Sequence, residues 1–230
     1  MASSTQDARV PAARKAYLRL REAIIGLALA PGQGLSEKEI SERLKVSRQP
    51  VREAFIRLSE EGLVEIRPQI GTFVSRLRVT EVREAIFARV ALECAVVRLV
   101  AETIGPADLD ELALILEAHE HAERQGDSDG GYRQDEAFHL RLIELSGYPG
   151  IWRMIRQARA HMVRLRNLSI VHLHTAPEAV DQHRRVFAAL RDHDPQAAAE
   201  SLKIHIEQNA AYMEQLSVKI PQFFETGEES

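Results

Sequence analysis

The sequence predicts a mainly α-helical protein: an N-terminal winged helix-turn-helix with a small β-hairpin wing, followed by an all-α six-helix bundle. Apolar residues recur at helical spacing along most of the 230-residue chain, and only the stretch near residues 63–75 has the β-branched and aromatic character of strands. An apolar fraction of 45% is enough to form buried cores. We therefore expect a flexible N-terminus over 1–11, a first domain over 12–78, a helical domain over 79–218 and a flexible tail over 219–230.

The first domain contains three predicted helices and a hairpin. An amphipathic helix precedes Pro31-Gly32, a capping box that begins at Ser36 starts a short second helix, and Ser47 is placed to cap a third. Two strand-like segments, 63–66 and 72–75, follow and are separated by turn-forming residues. This order of elements is that of a winged helix-turn-helix.

The third helix has two distinct faces. Arg48 and Arg52 are four residues apart and therefore share one face, whereas Val51, Phe55 and Leu58 form an apolar stripe on the other. Such a helix can pack on its own domain while both guanidinium groups point outward. The pattern is typical of a recognition helix that enters the major groove of DNA.

The second domain is predicted to be helical throughout. From Thr80 onward no segment has a convincing strand pattern, and Gly- and Pro-rich stretches divide the sequence. The apolar spacing predicts six helices: 80–104, 107–125, 131–147, 149–173, 176–193 and 195–218. Cys94, the only cysteine, has apolar helical neighbours and is predicted to be a buried thiol.

The net charge of −4 hides an asymmetry between the two domains. Residues 1–78 carry 14 Lys and Arg against 9 Asp and Glu, whereas residues 79–230 carry 16 basic and 25 acidic side chains. Only the first part, with a net charge of +5, is suited to a polyanion such as DNA. The sequence shows neither a secretion signal nor an apolar run long enough to cross a bilayer, so we expect a cytoplasmic location.

Several short motifs within residues 15–75 point to a known family. They are Pro31-Gly32, Leu35-Ser36-Glu37, the run from Val46 to Ala54, Leu58, Glu61-Gly62-Leu63-Val64 and Gly71-Thr72-Phe73-Val74. Together they resemble the GntR family of bacterial transcriptional regulators. The all-helical second domain is similar to the FCD ligand-binding domain of the FadR subfamily, and six helices rather than seven resemble its VanR-type branch.

The resemblance implies that six residues of the first domain bind DNA: Lys38, Ser47, Arg48, Gln49, Arg52 and Gly71. The two arginines would contact bases, and the planar fork of arginine does match O6 and N7 of guanine. Lys38, Ser47 and Gln49 would lie near phosphates, and Gly71 would lie at the wing tip against the minor groove. The alternative interpretation is that the arginines are ordinary solvated surface charges.

The second domain presents four candidate metal ligands. Asp135 and His139 are four residues apart on one predicted helix, while His183 and His205 lie among apolar neighbours on two later helices. Three imidazoles and one carboxylate suit Zn²⁺, Ni²⁺ or Mn²⁺. The spacing alone also fits a hydrogen-bonded helical pair and satisfied core histidines. The resemblance favours a metal, because metal-binding FCD domains carry an Asp-x-x-x-His pair followed by single histidines on two later helices.

Three arginines of the second domain are candidate effector contacts. Arg89 lies one turn before Glu93 and either meets an effector carboxylate or forms an internal ion pair, and the ion pair is the preferred interpretation. Arg159 and Arg166 are interleaved with apolar residues and are similar candidates. The remaining histidines are predicted to be surface groups: His119, His121, His161, His172, His174 and His193.

These features predict a DNA-binding transcriptional regulator, a repressor, that acts as a homodimer on a short palindromic operator. By analogy with the subfamily, a small organic acid would bind at the metal and change the affinity of the dimer for DNA. Two alternatives stay open on the sequence. One is a metal-dependent hydrolase, because an open-sided metal can activate water. The other is a regulator whose metal is purely structural.

Overall fold

The computed structural model describes two stretches of the chain, residues 11–173 and 178–225, without the side chains of 128–129 and 156–160. This part of the chain divides into two compact units. The first contains the residues up to Leu77 together with the segment from Ile220, and the second runs from Arg78 to Lys219. The predicted fold class is confirmed, with a small sheet wing in the first unit and a helical second unit.

The first unit contains three helices and a small antiparallel sheet. Its elements are α1 (Ala12–Ile25), β1 (Gly34–Leu35), α2 (Glu37–Leu44), α3 (Arg48–Glu60), β2 (Val64–Arg67), β3 (Gly71–Val74) and β4 (Leu77–Arg78). Strands β2 and β3 form the predicted wing hairpin, with Glu65 opposite Phe73. Strand β1 was not predicted, because two residues are too few to show an alternating pattern. It pairs with β3 and gives the strand order β1-β3-β2.

Helix α3 packs on its unit through the predicted apolar stripe. Val51, Phe55 and Leu58 are each at most 1% exposed, and α1 packs against this helix. Burial of three such side chains contributes roughly 5 kcal/mol to the stability of the unit. Because that stripe is fixed in the core, the opposite face of α3, which carries Arg48 and Arg52, is directed to solvent.

In the described part of the chain, the second unit consists of six helices. They are α4 (Val79–Thr103), α5 (Pro106–Arg124), α6 (Ser128–Leu145), α7 (Ile151–Leu173), α8 (Ala179–Arg191) and α9 (Pro195–Lys219). Their ends differ from the predicted ones by three residues or fewer. Helix α9 packs along α4 and α8, and α5 packs on α6. Among the described residues, every helix is too short or too polar to span a lipid bilayer.

The segment after α9 differs from the flexible tail that the sequence predicts. Pro221–Phe223 form a 3-10 turn, and β5 (Phe224–Glu225) pairs with β4. Ile220 and Phe224 bury their apolar side chains, which explains why this segment is folded against the chain. The other residues predicted to be flexible, 1–10 and 226–230, lie outside the described part of the chain.

Polar side chains interrupt the apolar core where α4, α6, α8 and α9 come together. The buried polar residues of this layer are Arg89, Glu93, Asp135, His139, Gln182, His183 and His205. Buried charges and imidazoles are unfavourable unless they are paired, hydrogen-bonded or coordinated to a metal. In this layer the second unit therefore departs from an ordinary helical core, and its four helices bring ionisable groups together. Cys94 is buried in the same unit, as predicted, and burial raises the pKa of its thiol to about 11.

Candidate metal centre and DNA-contacting helix

The six residues that the resemblance assigns to DNA all lie at the surface of the first unit: Lys38, Ser47, Arg48, Gln49, Arg52 and Gly71. Ser47 occupies the predicted N-cap position of α3 in extended conformation, but its hydroxyl makes no capping hydrogen bond to any described residue. Gly71 has a φ of +147°, which side-chain-bearing residues rarely adopt, where the wing turn enters β3. The amide of Gln49 donates to Glu53 Oε1 at 3.1 Å.

Arg52 is bound by a carboxylate from the preceding helix. Its Nε and Nη2 donate to Oε1 and Oε2 of Glu37, each at 2.9 Å. The hydrogen bond from Arg52 lowers the pKa of Glu37, and the same bond raises the pKa of Arg52. Glu37 is therefore a partner of Arg52 that sequence reasoning missed. It lies within one of the family motifs, but 15 residues separate it from Arg52, and no local spacing rule connects them.

The four candidate metal ligands meet in the core of the second unit: Asp135, His139, His183 and His205. One ligand atom from each lies within 4.8 Å of the other three, and all four residues are buried. His205 Nε2 is 3.2 Å from Nε2 of His139 and 3.3 Å from Nε2 of His183. Asp135 Oδ1 lies 3.7 Å from Nε2 of His183 and 3.8 Å from Nε2 of His205. The structure thus brings together residues from three helices.

The distances between these atoms fit a bound divalent metal. Ligand atoms bound tetrahedrally at about 2.0–2.1 Å from Zn²⁺ lie about 3.3 Å from one another. The two nitrogen–nitrogen distances have this value, and the carboxylate oxygen is slightly farther away. Three imidazole nitrogens and one carboxylate oxygen also fit Ni²⁺ and Mn²⁺.

Hydrogen bonds on the outer nitrogens direct the inner ones toward a common point. His139 Nδ1 lies 2.5 Å from Glu93 Oε2, and His205 Nδ1 lies 2.9 Å from Gln182 Oε1. Both partners accept, so each neutral ring carries its proton on Nδ1 and directs the lone pair of Nε2 inward. With both rings in this form, two nitrogen lone pairs lie 3.2 Å apart, an arrangement that a bound cation stabilises. These residues therefore fit a metal.

The protonation state of the histidines supports the same function. Burial lowers the pKa of His183 and of His205 well below the usual range, and neighbouring imidazoles lower it further. Both rings are therefore neutral at pH 7, the form in which imidazole binds metals. Sequence reasoning missed Glu93 and Gln182 as partners of the ligands, because each lies on a different helix from the ring it orients.

The three arginines predicted to contact an effector have different surroundings. Arg89 forms the predicted internal ion pair, with Nε 2.5 Å from Glu93 Oε1, and its Nη2 is 3.5 Å from His139 Nε2. The side chain of Arg159 lies outside the described ones. Arg166 Nη2 is 3.3 Å from Glu123 Oε1, and its Nη1 is 3.9 Å from Asp135 Oδ1.

A pocket opens between α7, α8 and α9 and leads to this centre. Arg166 and His205 contribute to its wall, together with Gln182. Beside it, burial raises the pKa of Glu123 to about 7, an effect that the positive charge of Arg166 opposes. A cation and a candidate metal ligand in one wall are groups that can bind an organic anion.

The prediction that the remaining histidines are surface groups is wrong for two of them. His119 is fully buried and His161 is 5% exposed, and burial lowers the pKa of each to about 4. His119 follows Leu112 and Leu116 on the inward face of α5, a spacing that the sequence contained. His121 and His193 are exposed and His172 is half-buried, while His174 lies outside the described residues.

Two families match this chain over separate ranges. Residues 12–74 match the family described as bacterial regulatory proteins, gntR family, and residues 84–208 match the FCD domain. The first range contains the exposed arginine helix and the wing. The second contains the four buried candidate ligands together with Glu93 and Gln182.

Known regulators resemble the chain over most of its length. A transcriptional regulator of the helix-turn-helix type from Streptomyces ambofaciens is 37% identical over 93% of this chain and 89% of its own length. The transcriptional repressor RspR of Escherichia coli is 35% identical over 90% of each chain. Among solved structures, McbR/YncC of E. coli has a TM-score of 0.76 and 26% identity, covering 90% of this chain and 98% of its own. A GntR regulator from Rhodococcus sp. RHA1 has a TM-score of 0.74 and 28% identity, covering 88% and 97%.

Proposed function

Because the chain belongs to the GntR family of bacterial regulatory proteins, is a DNA-binding transcriptional regulator and carries an FCD domain, we propose that it is a repressor controlled by a small organic acid. The acid binds at a metal site in the FCD domain. The relative named RspR is a repressor, which supports repression rather than activation. Genomic DNA is the target, so the protein acts in the cytoplasm.

The assignment of domains follows from this function. Residues 12–78 form the DNA-binding domain, and residues 79–218 form the effector-binding and dimerisation domain. The six helices of the second unit support the assignment of its FCD domain to the VanR-type branch of the FadR subfamily. A single recognition helix reads too few bases for specific binding, and two related by a twofold axis read both halves of a palindromic operator. The protein therefore acts as a homodimer.

One observation carries the metal-dependent part of the proposal. Four buried ligand atoms converge, and the outer nitrogens of His139 and His205 are fixed by Glu93 and Gln182. Asp135, His139, His183 and His205 would hold the ion. When bound, it supplies a Lewis acid for one oxygen of an effector carboxylate. Arg166 adds a positive charge on the same side.

The effector controls DNA binding through a difference in affinity. An acid that binds one arrangement of the dimer more tightly shifts the population toward that arrangement. By thermodynamic reciprocity, operator DNA weakens the binding of such an acid by the same factor by which the acid weakens the binding of DNA. Control thus requires no contact between the acid and DNA.

Metal analysis and DNA binding test the proposal together. Protein purified without chelator is expected to contain about one Zn²⁺, Ni²⁺ or Mn²⁺ per chain, and His183→Ala is expected to lose it. Footprinting at moderate salt is expected to reveal a symmetrical protected tract. Unchanged metal content in His183→Ala would exclude this ligand. If the protein binds metal but no acid shifts its melting temperature or releases it from DNA, the alternative of a purely structural metal is indicated.

The hydrolase alternative has no support from the comparisons. The matching families and the relatives named above are transcriptional regulators, not enzymes. The buried carboxylate nearest the centre beyond Asp135 is Glu93, which is engaged by Arg89 and His139. That carboxylate orients a ligand and is not placed to act as a general base.

A further inference from the structure

We propose that His119 is the outer hydrogen-bond partner of the candidate metal ligand His183 and positions the ring of that ligand. The proposal rests on the metal-binding part of the proposed function, and it assigns His119 a contact with a ligand rather than with the ion. Three imidazoles meet at the candidate metal centre. The outer nitrogens of two of them, in His139 and His205, have acceptors on neighbouring helices. His119 would be the corresponding partner for the third.

The outer nitrogen of His183 has no acceptor among the described residues. This ring is fully buried, and its Nε2 lies 3.3 Å from Nε2 of His205 and 3.7 Å from Oδ1 of Asp135. Its Nδ1 is shielded from solvent and makes no hydrogen bond to the described part of the chain. When Nε2 binds a metal, Nδ1 carries the proton, and a buried N–H without an acceptor is unfavourable. His183 therefore needs a partner on its outer side.

His119 lies beside this ring with hydrogen-bonding groups to spare. Its side chain is fully buried, and its ring centroid is 5.6 Å from that of His183. Within the described ranges, neither of its nitrogens makes a hydrogen bond. Two imidazoles joined directly by a hydrogen bond of about 3 Å have centroids about 5 Å apart. A shift of about half an ångström would therefore bring the two rings to that separation.

Glu123 favours the form of His119 that accepts this hydrogen bond. It lies one turn later on α5, and its Oε1 is 3.5 Å from Nε2 of His119. Arg166 Nη2 is 3.3 Å from the same oxygen, and its charge favours the ionised carboxylate. Burial disfavours the charged imidazolium, and a neutral ring has one N–H and one lone pair. A carboxylate beside Nε2 favours the proton there, which leaves the lone pair of Nδ1 for His183.

Phe138 restricts the ring of His183 in a different way. The two rings are stacked, with centroids 4.4 Å apart and planes 20° apart, and the phenyl ring is fully buried. Stacking fixes the plane of the imidazole but not which edge faces the metal, because a half turn about the Cβ–Cγ bond keeps the plane and exchanges nitrogen with carbon positions. A hydrogen bond on Nδ1 distinguishes the two orientations. Phe138 and His119 thus have complementary roles.

Packing alone does not require an imidazole at this position. His119 continues the inward face of α5 after Leu112 and Leu116, where an aliphatic side chain could fill the same space. An imidazole buried without hydrogen bonds is unfavourable, and the N–H of metal-bound His183 would satisfy one of its nitrogens. The position therefore suits a residue that acts on the ligand.

Zinc binding by the full-length protein, measured by competition with a chromophoric chelator, tests the proposal. His119→Leu removes both ring nitrogens and is expected to weaken zinc binding by about 10- to 100-fold. His119→Asn keeps an acceptor near the position of Nδ1 and is expected to stay within about threefold of the parent protein. His121→Leu, which replaces an exposed histidine of the same helix, serves as the control. In the metal-free state, His119→Leu should melt at the parent temperature or above, because it removes a buried polar group.

Nitrogen-15 NMR spectra of histidine-labelled protein provide a readout that a packing role would not affect. In the zinc-loaded parent protein, His119 is expected to carry its proton on Nε2, with Nδ1 unprotonated. His183 is expected to carry its proton on Nδ1. The spectrum of His119→Asn, which lacks one set of signals, identifies the resonances of His119.

Two results would overturn the inference while metal binding stands. The first is a His119→Leu variant that binds zinc as tightly as the parent protein. The second is a zinc-loaded protein in which His119 is protonated on Nδ1, because this tautomer cannot accept from His183 at that nitrogen. A parent protein that binds no zinc, nickel or manganese would instead contradict both the inference and the metal-dependent part of the proposed function.

Discussion

Glu37 and Arg52 form a bidentate ion pair between α2 and α3, with both nitrogen–oxygen distances at 2.9 Å. The pair fixes the plane of the guanidinium group that is proposed to read a base. Arg48 lies one turn earlier on the same face and is exposed. Among the described contacts, no carboxylate holds its guanidinium group as Glu37 holds that of Arg52. A planar group held in one orientation loses less entropy when it binds guanine bidentately. Glu37 is thereby placed to affect sequence discrimination.

Replacement of Glu37 by Gln is expected to reduce discrimination and increase general affinity. The variant loses one negative charge on the face that is proposed to meet DNA, so binding to all DNA should strengthen. It also loosens Arg52, so the ratio of operator affinity to scrambled-DNA affinity should fall severalfold. Fluorescence anisotropy with both duplexes measures this ratio. Glu39→Gln removes the same charge from the same helix without the contact to Arg52 and should leave the ratio unchanged. Equal ratios in the two variants would contradict a positioning role.

Base-reading and phosphate-binding residues should respond differently to alanine substitution. Arg48→Ala or Arg52→Ala is expected to weaken operator binding by about tenfold or more and to relax selection at one base pair. Lys38→Ala is expected to weaken binding to operator and random DNA alike. It should also reduce the slope of log binding constant against log salt concentration by about one. Binding at several salt concentrations separates the two classes. Equal losses on both DNAs for all three variants would refute the assignment.

The orientation of His205 by Gln182 leads to a prediction about metal affinity. Gln182→Leu keeps all four ligands but removes the acceptor for His205 Nδ1, so metal affinity is expected to fall by about 10- to 100-fold. Competition with a chromophoric chelator measures the change, and Gln196→Leu, which replaces an exposed amide at the start of α9, is the control. A variant that binds metal as tightly as the parent would show that the ring needs no outer partner.

The sequence predicted those parts of the molecule that depend on local spacing. Four-residue separations placed Arg48 with Arg52 and Asp135 with His139, and the apolar stripe of α3 gave the direction of its exposed face. The wing hairpin followed from two short β-branched segments and the turn between them. Helix ends were predicted closely because Gly and Pro mark them.

Contacts between distant segments could not be predicted in this way. Glu93 lies 46 residues from His139, and Gln182 lies 23 residues from His205, so only the packing of the bundle brings each pair together. The two-residue strand β1 depends entirely on its partner strand for its conformation. His119 is a different case: its charged neighbours in sequence favour an exposed position, whereas its helical spacing from Leu112 and Leu116 puts it on the buried face of α5.

Acid should destabilise the protein through His161. Burial lowers the pKa of this imidazole to about 4, and the nearby positive charge of Arg164 acts in the same direction. In the unfolded chain the pKa is about 6.5, so between about pH 6.5 and 4 the unfolded state binds a proton that the folded state excludes. The stability that depends on neutral His161 is therefore complete above about pH 6.5 and falls as the pH decreases toward 4, by about 3 kcal/mol at most.

The slope of melting temperature against pH, recorded in EDTA, measures this effect. His161→Leu removes the titrating group and is expected to flatten the slope between about pH 6.5 and 4, because one fewer proton is taken up on unfolding. His121→Leu, which replaces an exposed histidine, should keep the parent slope. Since the other buried histidines are present in all three proteins, their contribution cancels in the comparison. A His161→Leu slope equal to that of the parent would mean that His161 is protonated in the folded state, which its burial and the adjacent guanidinium oppose.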